Sequence, residues 1–442
     1  MSPAVLQVAP HRYAAARPGG AMFVLSLVYL MLTIIRPQDY MPALTGIPLL
    51  PVVLLLAFLL WLGSNTKVFA GPQFLLLLLF LLALMVSDAA NGWVGGALVQ
   101  LKTFGPIVIA FFVLASAIAA SPRRVVVAFF VFVLCSIVLA LHGWNQTRVG
   151  VGWTGTPLSL DGRIQYVGIF NDPNDLGLLF ATAFPMAVYL SGRGGFLRRV
   201  IWLAGAALLL YGIFLTNSRG AMLAVVAIGA VYLWRRRGLV TALVLSGVGL
   251  VGMMMMPSRL QQLDVSESSA FGRVDAWYEG LHMFLAKPLF GVGAGNFTDY
   301  NELTAHNSLI LVLAETGFFG YIIWLAFVGY GFWMMLTILR QAPPPSDDAE
   351  QAKAWQVERG LAFTLLLSLT GLFTAAFFLS RSYTVLLYLV AALVVGEYAG
   401  ARQRFPDLPH FRLADGWWRW LPIAMISIAA LFVMVALLLH SA

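Results

Sequence analysis

His306 lies at the start of a predicted helix, where its imidazole could act as a general base. In the stretch TAHNSLILVLAETGFFG (304–320), His306 lies directly before a long apolar run, and Asn307 or Ser308 can cap the helix which that run predicts. An imidazole with a pKa near 6.5 can accept a proton from a hydroxyl group at neutral pH. The simpler alternative is a histidine that is only hydrogen-bonded at a helix end. A metal site is disfavoured, because no His-Glu-x-x-His or DxD spacing accompanies this histidine.

Arginines form the second set of candidates. Of the 27 Lys and Arg residues, nine fall outside the basic clusters that mark one side of the predicted spans. Two of these, Arg219 and Arg381, sit at span ends, where a guanidinium is costly to bury unless it is paired or hydrated. For both, the alternative is an arginine that snorkels to lipid headgroups, and this alternative is stronger for Arg381. The nine are Arg36, Lys102, Arg148, Arg163, Arg219, Arg259, Arg273, Lys287 and Arg381.

Two further arginines lie in the large loops on the side of His306. Arg163 precedes a Gly/Asn/Pro-rich turn, after which Asn174 or Asp175 can cap a helix. Arg273 begins a segment with apolar residues at helical spacing, which predicts an amphipathic helix at the interface. Guanidinium groups grip phosphate oxygens bidentately and stay charged at physiological pH. A diphosphate that links a polyprenol to a glycan is the natural anion at this depth.

The elements that position these residues are membrane-spanning helices. Of the 442 residues, 60% are hydrophobic and only 10% are charged, and the mean hydropathy is +0.86. Long apolar runs predict helices, because backbone groups in lipid must be satisfied within the segment. We expect an all-α polytopic membrane protein of 12 or 13 spans. The predicted spans are 21–35, 47–63, 73–87, 97–120, 125–142, 175–192, 200–216, 220–234, 239–256, 308–339, 359–379, 384–399 and 420–438.

The whole chain, 1–442, is predicted to form a single transmembrane domain. Its connections are a first outer loop over 143–174, a large periplasmic loop over 257–307 that carries the amphipathic helix, and a flexible cytoplasmic loop over 341–358. The basic clusters share one side, which the positive-inside rule assigns to the cytoplasm. His306 then faces the periplasm. The net charge of +8 has the same explanation, so we expect no nucleic-acid partner.

Four features of the sequence resemble the O-antigen ligase family. Two longer stretches, GRIQYVGIFNDPNDLG (162–177) and RVDAWYEGLHMFLAKPLFGVGAGNF (273–297), are similar to the family's loop segments. A pattern of Arg, three residues and Leu is matched by Arg219 and Leu223. A second pattern, which begins with His and a small polar residue, is matched without a gap by His306, Asn307, Gly317 and Gly320. The resemblance covers about residues 160–325.

The resemblance implies a GT-C-like enzyme of the bacterial inner membrane with its active site at the periplasmic face. The reaction would be a metal-independent, inverting transfer of a glycan from undecaprenyl diphosphate to a sugar hydroxyl of lipid A–core, without a cofactor. By position, His306 would be the general base, and Arg219 and Arg273 would act on the diphosphate as catalytic residues. The expected substrate-binding residues are Arg163, Asn174, Asn307 and Arg381.

Three alternatives stay open at this point. An O-antigen polymerase and a protein O-oligosaccharyltransferase share the same patterns, and a membrane transporter is more distant because internal repeat symmetry is not evident. Two glycines, Gly317 and Gly320, are expected to permit close packing of the helix behind His306. Glu315, deeper on that helix, could pair with an arginine or polarise the helix bundle, and the sequence does not choose between these roles.

Overall fold

The computed structural model describes residues 20–255, 263–343 and 349–441, and these residues form fifteen α-helices and no β-strand. Arg259 and the first nineteen residues lie outside the described residues. The helices are α1 (Gly20–Ile35), α2 (Leu49–Leu62), α3 (Pro72–Ala90), α4 (Val94–Ala119), α5 (Pro122–Val149), α6 (Pro173–Ser191), α7 (Phe196–Thr216), α8 (Arg219–Arg237), α9 (Leu239–Met255), α10 (Leu263–Ala286), α11 (Phe297–Tyr300), α12 (Ser308–Arg340), α13 (Ala349–Ala376), α14 (Val385–Arg404) and α15 (Trp420–Ser441).

In the part of the chain that the structure describes, eight helices are long and apolar enough to cross a membrane, namely α3, α4, α5, α7, α12, α13, α14 and α15. Helices α1 and α2 and most of α9 are shorter apolar helices. Every predicted span coincides with a helix, although α6 begins with polar residues and α8 ends in three arginines, which keeps both outside the eight. The prediction of an all-α polytopic membrane protein is confirmed. The number of true crossings, 12 or 13, stays a prediction.

The predicted loops are shorter in the structure. Helix α5 continues to Val149, so the first residues of the predicted 143–174 loop are helical. Most of the predicted 257–307 loop is α10 and α11, and α10 is amphipathic, with Trp277 and Leu281 buried but Tyr278 exposed. The prediction of a flexible segment over 341–358 is wrong from Ala349 onward. There α13 has already begun, because AEQAKAW consists mostly of strong helix formers, while residues 344–348 lie outside the described residues.

The helix that follows His306 is broken. Gly317 in α12 has φ 63° and ψ −163°, a backbone conformation open almost only to glycine. The backbone of the preceding loop enters this break: the Phe318 N–H donates to the Pro288 carbonyl (2.8 Å), and the Val292 N–H donates to the Ala314 carbonyl (3.0 Å). A Cβ on Gly317 would lie 2.6 Å from the Leu289 carbonyl oxygen. The expected helix–helix packing role of Gly317 is therefore wrong, because the space left by its missing Cβ is occupied by the backbone of residues 288–292. The predicted span over 308–339 still coincides with one apolar segment, Ser308–Arg340, that is long enough to cross a membrane.

Polar side chains of α3 and α4 hold this inserted loop in place. Asp88 accepts the Ala294 N–H (2.7 Å), and Gln100 donates to the Ala294 carbonyl (3.0 Å). Asn91 donates to the carbonyl of Gly291 (2.9 Å). Glu315, whose role the sequence left open, accepts the Phe297 N–H at 3.2 Å. These contacts fix the chain between α10 and α12, and therefore the position at which α12 begins.

Candidate functional site

Three helices begin next to one another at the end of the bundle that carries His306. They are α6, α8 and α12, and their N-terminal N–H groups are capped by Asp172, Ser218 and Asn307. A Cβ on Gly177 in α6 would lie 3.2 Å from the Cβ of Ser218, so the starts of α6 and α8 are in contact. The positive ends of helix dipoles and their N–H groups favour anions. The dipoles of these helices therefore favour negative charge near His306, and the carboxylates of Asp172 and Asp175 at the start of α6 supply part of it.

His306 is held by its backbone, which leaves its ring available. The residue has φ 46°, in the left-handed region that a histidine seldom adopts. Its N–H donates to Ser380 Oγ (2.8 Å), which also accepts from the Thr304 hydroxyl (2.8 Å). The ring is half-buried and makes no hydrogen bond to the side chains that the structure describes. The strained backbone is thus fixed by the turn between α13 and α14.

The surroundings keep the His306 imidazole neutral. Burial lowers the pKa of this ring below its ordinary 6.5, and the positive charges of Arg273 and Arg381 lower it further. The carboxylate of Asp172 acts in the opposite direction without cancelling the effect. A neutral imidazole at neutral pH can accept a proton, which is the state that a general base requires.

Arg219 and Arg273 form a pair of like charges. Arg219 is the exposed first residue of α8, whereas Arg273 is half-buried on α10. Burial lowers the pKa of Arg273, and the charge of Arg219 lowers it further. Neither guanidinium has a hydrogen bond or an ion pair with a side chain that the structure describes. Two such cations beside each other would be stabilised by a shared anion with several oxygens.

Arg163 is connected to the start of α6. Its Nε donates to the Thr216 carbonyl (2.6 Å), and its Nη2 donates to Asn174 Oδ1 (2.8 Å). The backbone N–H and the side-chain amide of Asn174 both donate to Asp172 Oδ1, at 2.8 and 2.9 Å. The cap of α6 is therefore Asp172, and the expectation that Asn174 or Asp175 would be the cap is wrong. Proline is favoured at the first position of a helix, so the residue before Pro173 is the expected cap, and that residue is Asp172.

Arg381 forms a bidentate ion pair with Asp175 of α6. The Nε and Nη2 atoms lie 2.5 and 2.6 Å from the two carboxylate oxygens. Burial disfavours the charge of Arg381, but Asp175 and then Asp172 outweigh it and raise the pKa of the guanidinium. The Arg381 N–H also donates to Ser308 Oγ (3.1 Å). Arg381 therefore connects the turn between α13 and α14 to the starts of α6 and α12.

Asn307 is the cap of α12, as the sequence predicts. Its Oδ1 accepts the N–H groups of Leu309 (2.9 Å) and Ile310 (3.1 Å). The side chain is completely buried. Asn307 thus fixes the chain direction directly after His306, while its predicted contact with a substrate stays a prediction.

Residues 204–325 match the family model described as O-antigen ligase. This match supports membership of the O-antigen ligase family for the part of the chain that carries the candidate site. The match supports a glycan transferase of the ligase or polymerase type, and the eight apolar helices of the described residues support a multi-pass membrane protein. No curated protein matches the chain. The matched range contains His306, Asn307, Arg219 and Arg273, together with the helix break at Gly317.

The family match and the site geometry overlap only in part. Arg163, Asn174 and Arg381 lie outside the matched range but belong to the same polar network as the matched residues. Sequence reasoning missed Asp172 and Ser380 of this network, and it named Asp175 only as a possible helix cap and not as the partner of Arg381. Asp172 could have been found from its position before Pro173. The other two act across 206 and 74 residues of sequence, for which a single sequence gives no signal.

Proposed function

We propose that this protein is an O-antigen ligase, which transfers a glycan from undecaprenyl diphosphate to a sugar hydroxyl of lipid A–core. The observation that carries the proposal is the neutral imidazole of His306 near the guanidinium of Arg273, which is itself near Arg219. Neither guanidinium has a partner among the side chains that the structure describes. This reaction needs a base that accepts the proton of the acceptor hydroxyl and a neighbouring site that binds the diphosphate. The family match supports lipid-linked and polysaccharide substrates in general.

The donor diphosphate would be bound by Arg219 and Arg273. Their mutual repulsion, which lowers the pKa of Arg273, is relieved when a ligand brings two or more negative charges. The N-termini of α6, α8 and α12 add favourable dipoles. Arg163 lies at the edge of this region and would complete the diphosphate site. As the leaving group gains charge in the transition state, these fixed charges stabilise it without reorganisation.

His306 would act on the acceptor. As the acceptor hydroxyl oxygen attacks the anomeric carbon, its proton passes to the imidazole, and the bond from that carbon to the diphosphate oxygen breaks. The electron pair of that bond leaves with undecaprenyl diphosphate. Because the hydroxyl oxygen attacks on the face opposite the leaving diphosphate, the anomeric configuration inverts. The bound diphosphate also offsets the positive charges of Arg273 and Arg381, which raises the pKa of His306 in the complex. Donor binding therefore makes His306 a stronger base.

The location and cofactor needs belong to the same proposal. The site lies at the end of the bundle opposite the basic clusters, which supports a periplasmic active site in a bacterial inner membrane. We propose that the reaction needs no metal or other cofactor. EDTA tests this directly, since a required divalent cation would be removed and the transfer would stop.

Product analysis tests the proposed reaction. The purified protein is incubated in EDTA with undecaprenyl diphosphate-linked O-antigen and with lipid A–core. High-mass lipopolysaccharide is the expected product. Longer lipid-linked chains without lipopolysaccharide would identify a polymerase instead, and the absence of both products from the folded protein would contradict the proposal and direct attention to protein acceptors or transport.

Arginine variants test the proposed donor site. Each of Arg219→Gln and Arg273→Gln should lower the transfer rate about 10²-fold or more, because each removes a charge that faces the leaving group. Arg148→Gln is the matched control: Arg148 is exposed at the end of α5 and stacks on Trp144 at 4.6 Å from the ring centre. Equal tolerance of all three substitutions would contradict the assignment.

A further inference from the structure

A second arginine cluster lies at the opposite end of the helices that carry the candidate site. Arg235 and Arg236 of α8, together with Arg359 of α13, line a pocket of about 410 Å³ whose wall also includes Leu339 and Phe363. We call it the arginine pocket. No acidic residue among those that the structure describes lines it. The pocket therefore concentrates three positive charges that its own wall does not balance.

The arginine pocket is built from several helices. The Nη2 atoms of Arg235 and Arg359 each lie 3.3 Å from the Leu339 carbonyl oxygen, near the end of α12. That carbonyl takes one donor from each guanidinium, and a guanidinium has five N–H donors. Arg236 is exposed and lies 5.9 Å from the ring centre of Phe363. Most of the donor capacity of the three arginines thus remains for a ligand.

The depth of the arginine pocket is that of a membrane interface. Arg219, at the candidate site, and Arg235, in the pocket, lie on the same helix α8. A rise of 1.5 Å per residue separates them by about 24 Å, which is close to the ~30 Å hydrocarbon thickness of a bilayer. Whichever way the protein is oriented, the pocket lies at the interface opposite His306.

An aromatic surface continues from the arginine pocket toward the middle of the helices. Tyr232 lies one turn of α8 before Arg236, is exposed, and its ring centre is 5.9 Å from that of Phe363. A small soluble anion would use the guanidinium groups but would leave this surface without a function. A phosphate group that carries an acyl chain would use both the charges and the rings.

We propose that the arginine pocket binds the headgroup of an anionic phospholipid, with its phosphate on Arg235, Arg236 and Arg359 and an acyl chain along Tyr232 and Phe363. Basic pockets between membrane helices are suited to such headgroups. The site is separate from the proposed glycan transfer and does not depend on it. Its occupant would hold the ends of α8, α12 and α13 together.

Native mass spectrometry of the purified protein tests the proposal with phosphatidylglycerol, phosphatidylcholine and inorganic phosphate as probes. We expect one phosphatidylglycerol to bind in preference to phosphatidylcholine. Arg235→Gln with Arg359→Gln should weaken this binding about 30-fold, and Arg236→Gln alone about fivefold. The single variant removes no hydrogen bond to the backbone, so it remains informative if the double variant does not fold. Arg237→Gln, at the next position of α8, is the control.

Two results would overturn the proposal. One is phosphatidylglycerol binding to Arg236→Gln and to a folded double variant that equals binding to the wild type. The other is inorganic phosphate binding as tightly as the lipid, which would make the pocket a site for small anions. Selective loss of the lipid in the pocket variants, with Arg237→Gln unchanged, supports it.

Discussion

Substitution of Arg381 by glutamine should show how much the ion pair with Asp175 contributes to the free energy of unfolding. The Asp175 side chain is 4% exposed and would lose both of its guanidinium donors. Removal of one partner of a buried pair costs about 3–5 kcal/mol, since a buried charge is left unpaired. Because the Arg381 side chain is 33% exposed and water can reach part of it, we expect the lower end, about 3 kcal/mol.

The double variant Arg381→Gln/Asp175→Asn separates the charge from the contact. It removes both charges and leaves two amides that can hydrogen-bond, so its free energy of unfolding should return to within about 1 kcal/mol of the wild type. Unfolding by SDS titration in mixed micelles measures all the variants, with Asp175→Asn completing the cycle. If the single variant Arg381→Gln were as stable as the wild type, the ion pair with Asp175 would not stabilise the fold.

Transfer activity of the same double variant decides what Arg381 does. Two of its nitrogen atoms are committed to Asp175, which favours a role in positioning the turn that holds His306. We therefore expect the double variant to regain most of the transfer rate together with its stability. Recovery of stability without recovery of transfer would instead assign Arg381 to substrate binding, as the sequence predicts.

The remaining predictions concern the helix break and the base. Gly317→Ala should lower the melting temperature and the transfer rate more than Gly295→Ala does, because both positions have positive φ but only Gly317 has backbone atoms within 2.6 Å of the added Cβ; equal melting temperatures would contradict the inserted loop. The acid limb of kcat/KM against pH should lie below 6.5, since activity is lost only as pH falls through the lowered pKa of His306. Arg273→Gln removes a charge that lowers this pKa, so the limb should move to higher pH; an unmoved limb would contradict the coupling.

The sequence predicts the local features of this fold well. Membrane helices depend on the hydropathy of their own residues, so every predicted span coincides with a helix. The Asn307 cap depends on the residues that follow it, and the structure confirms it. Likewise, the closely spaced glycines Gly291, Gly293 and Gly295 indicate a turn in the sequence, and all three have positive φ.

The features that the sequence did not reveal depend on distant contacts. The break at Gly317 lies within an apolar run that reads as one continuous span, and it forms because another loop supplies hydrogen bonds there. The partner of Arg381 lies on α6, and Ser380, which holds His306, lies on the far side of α12 and α13 in the sequence. Hydropathy and spacing carry no information about such pairings.

The transfer rate of His306→Ala decides whether His306 is the general base. The control is His282→Ala, whose histidine is exposed on α10 and contacts the Tyr278 carbonyl through Nδ1 (3.0 Å). Transfer to lipid A–core is measured in EDTA, and donor binding is measured separately. We predict unchanged donor affinity and a rate about 10²–10⁴-fold below the wild type for His306→Ala alone. A His306→Ala rate within a few-fold of the wild type would exclude His306 as the general base.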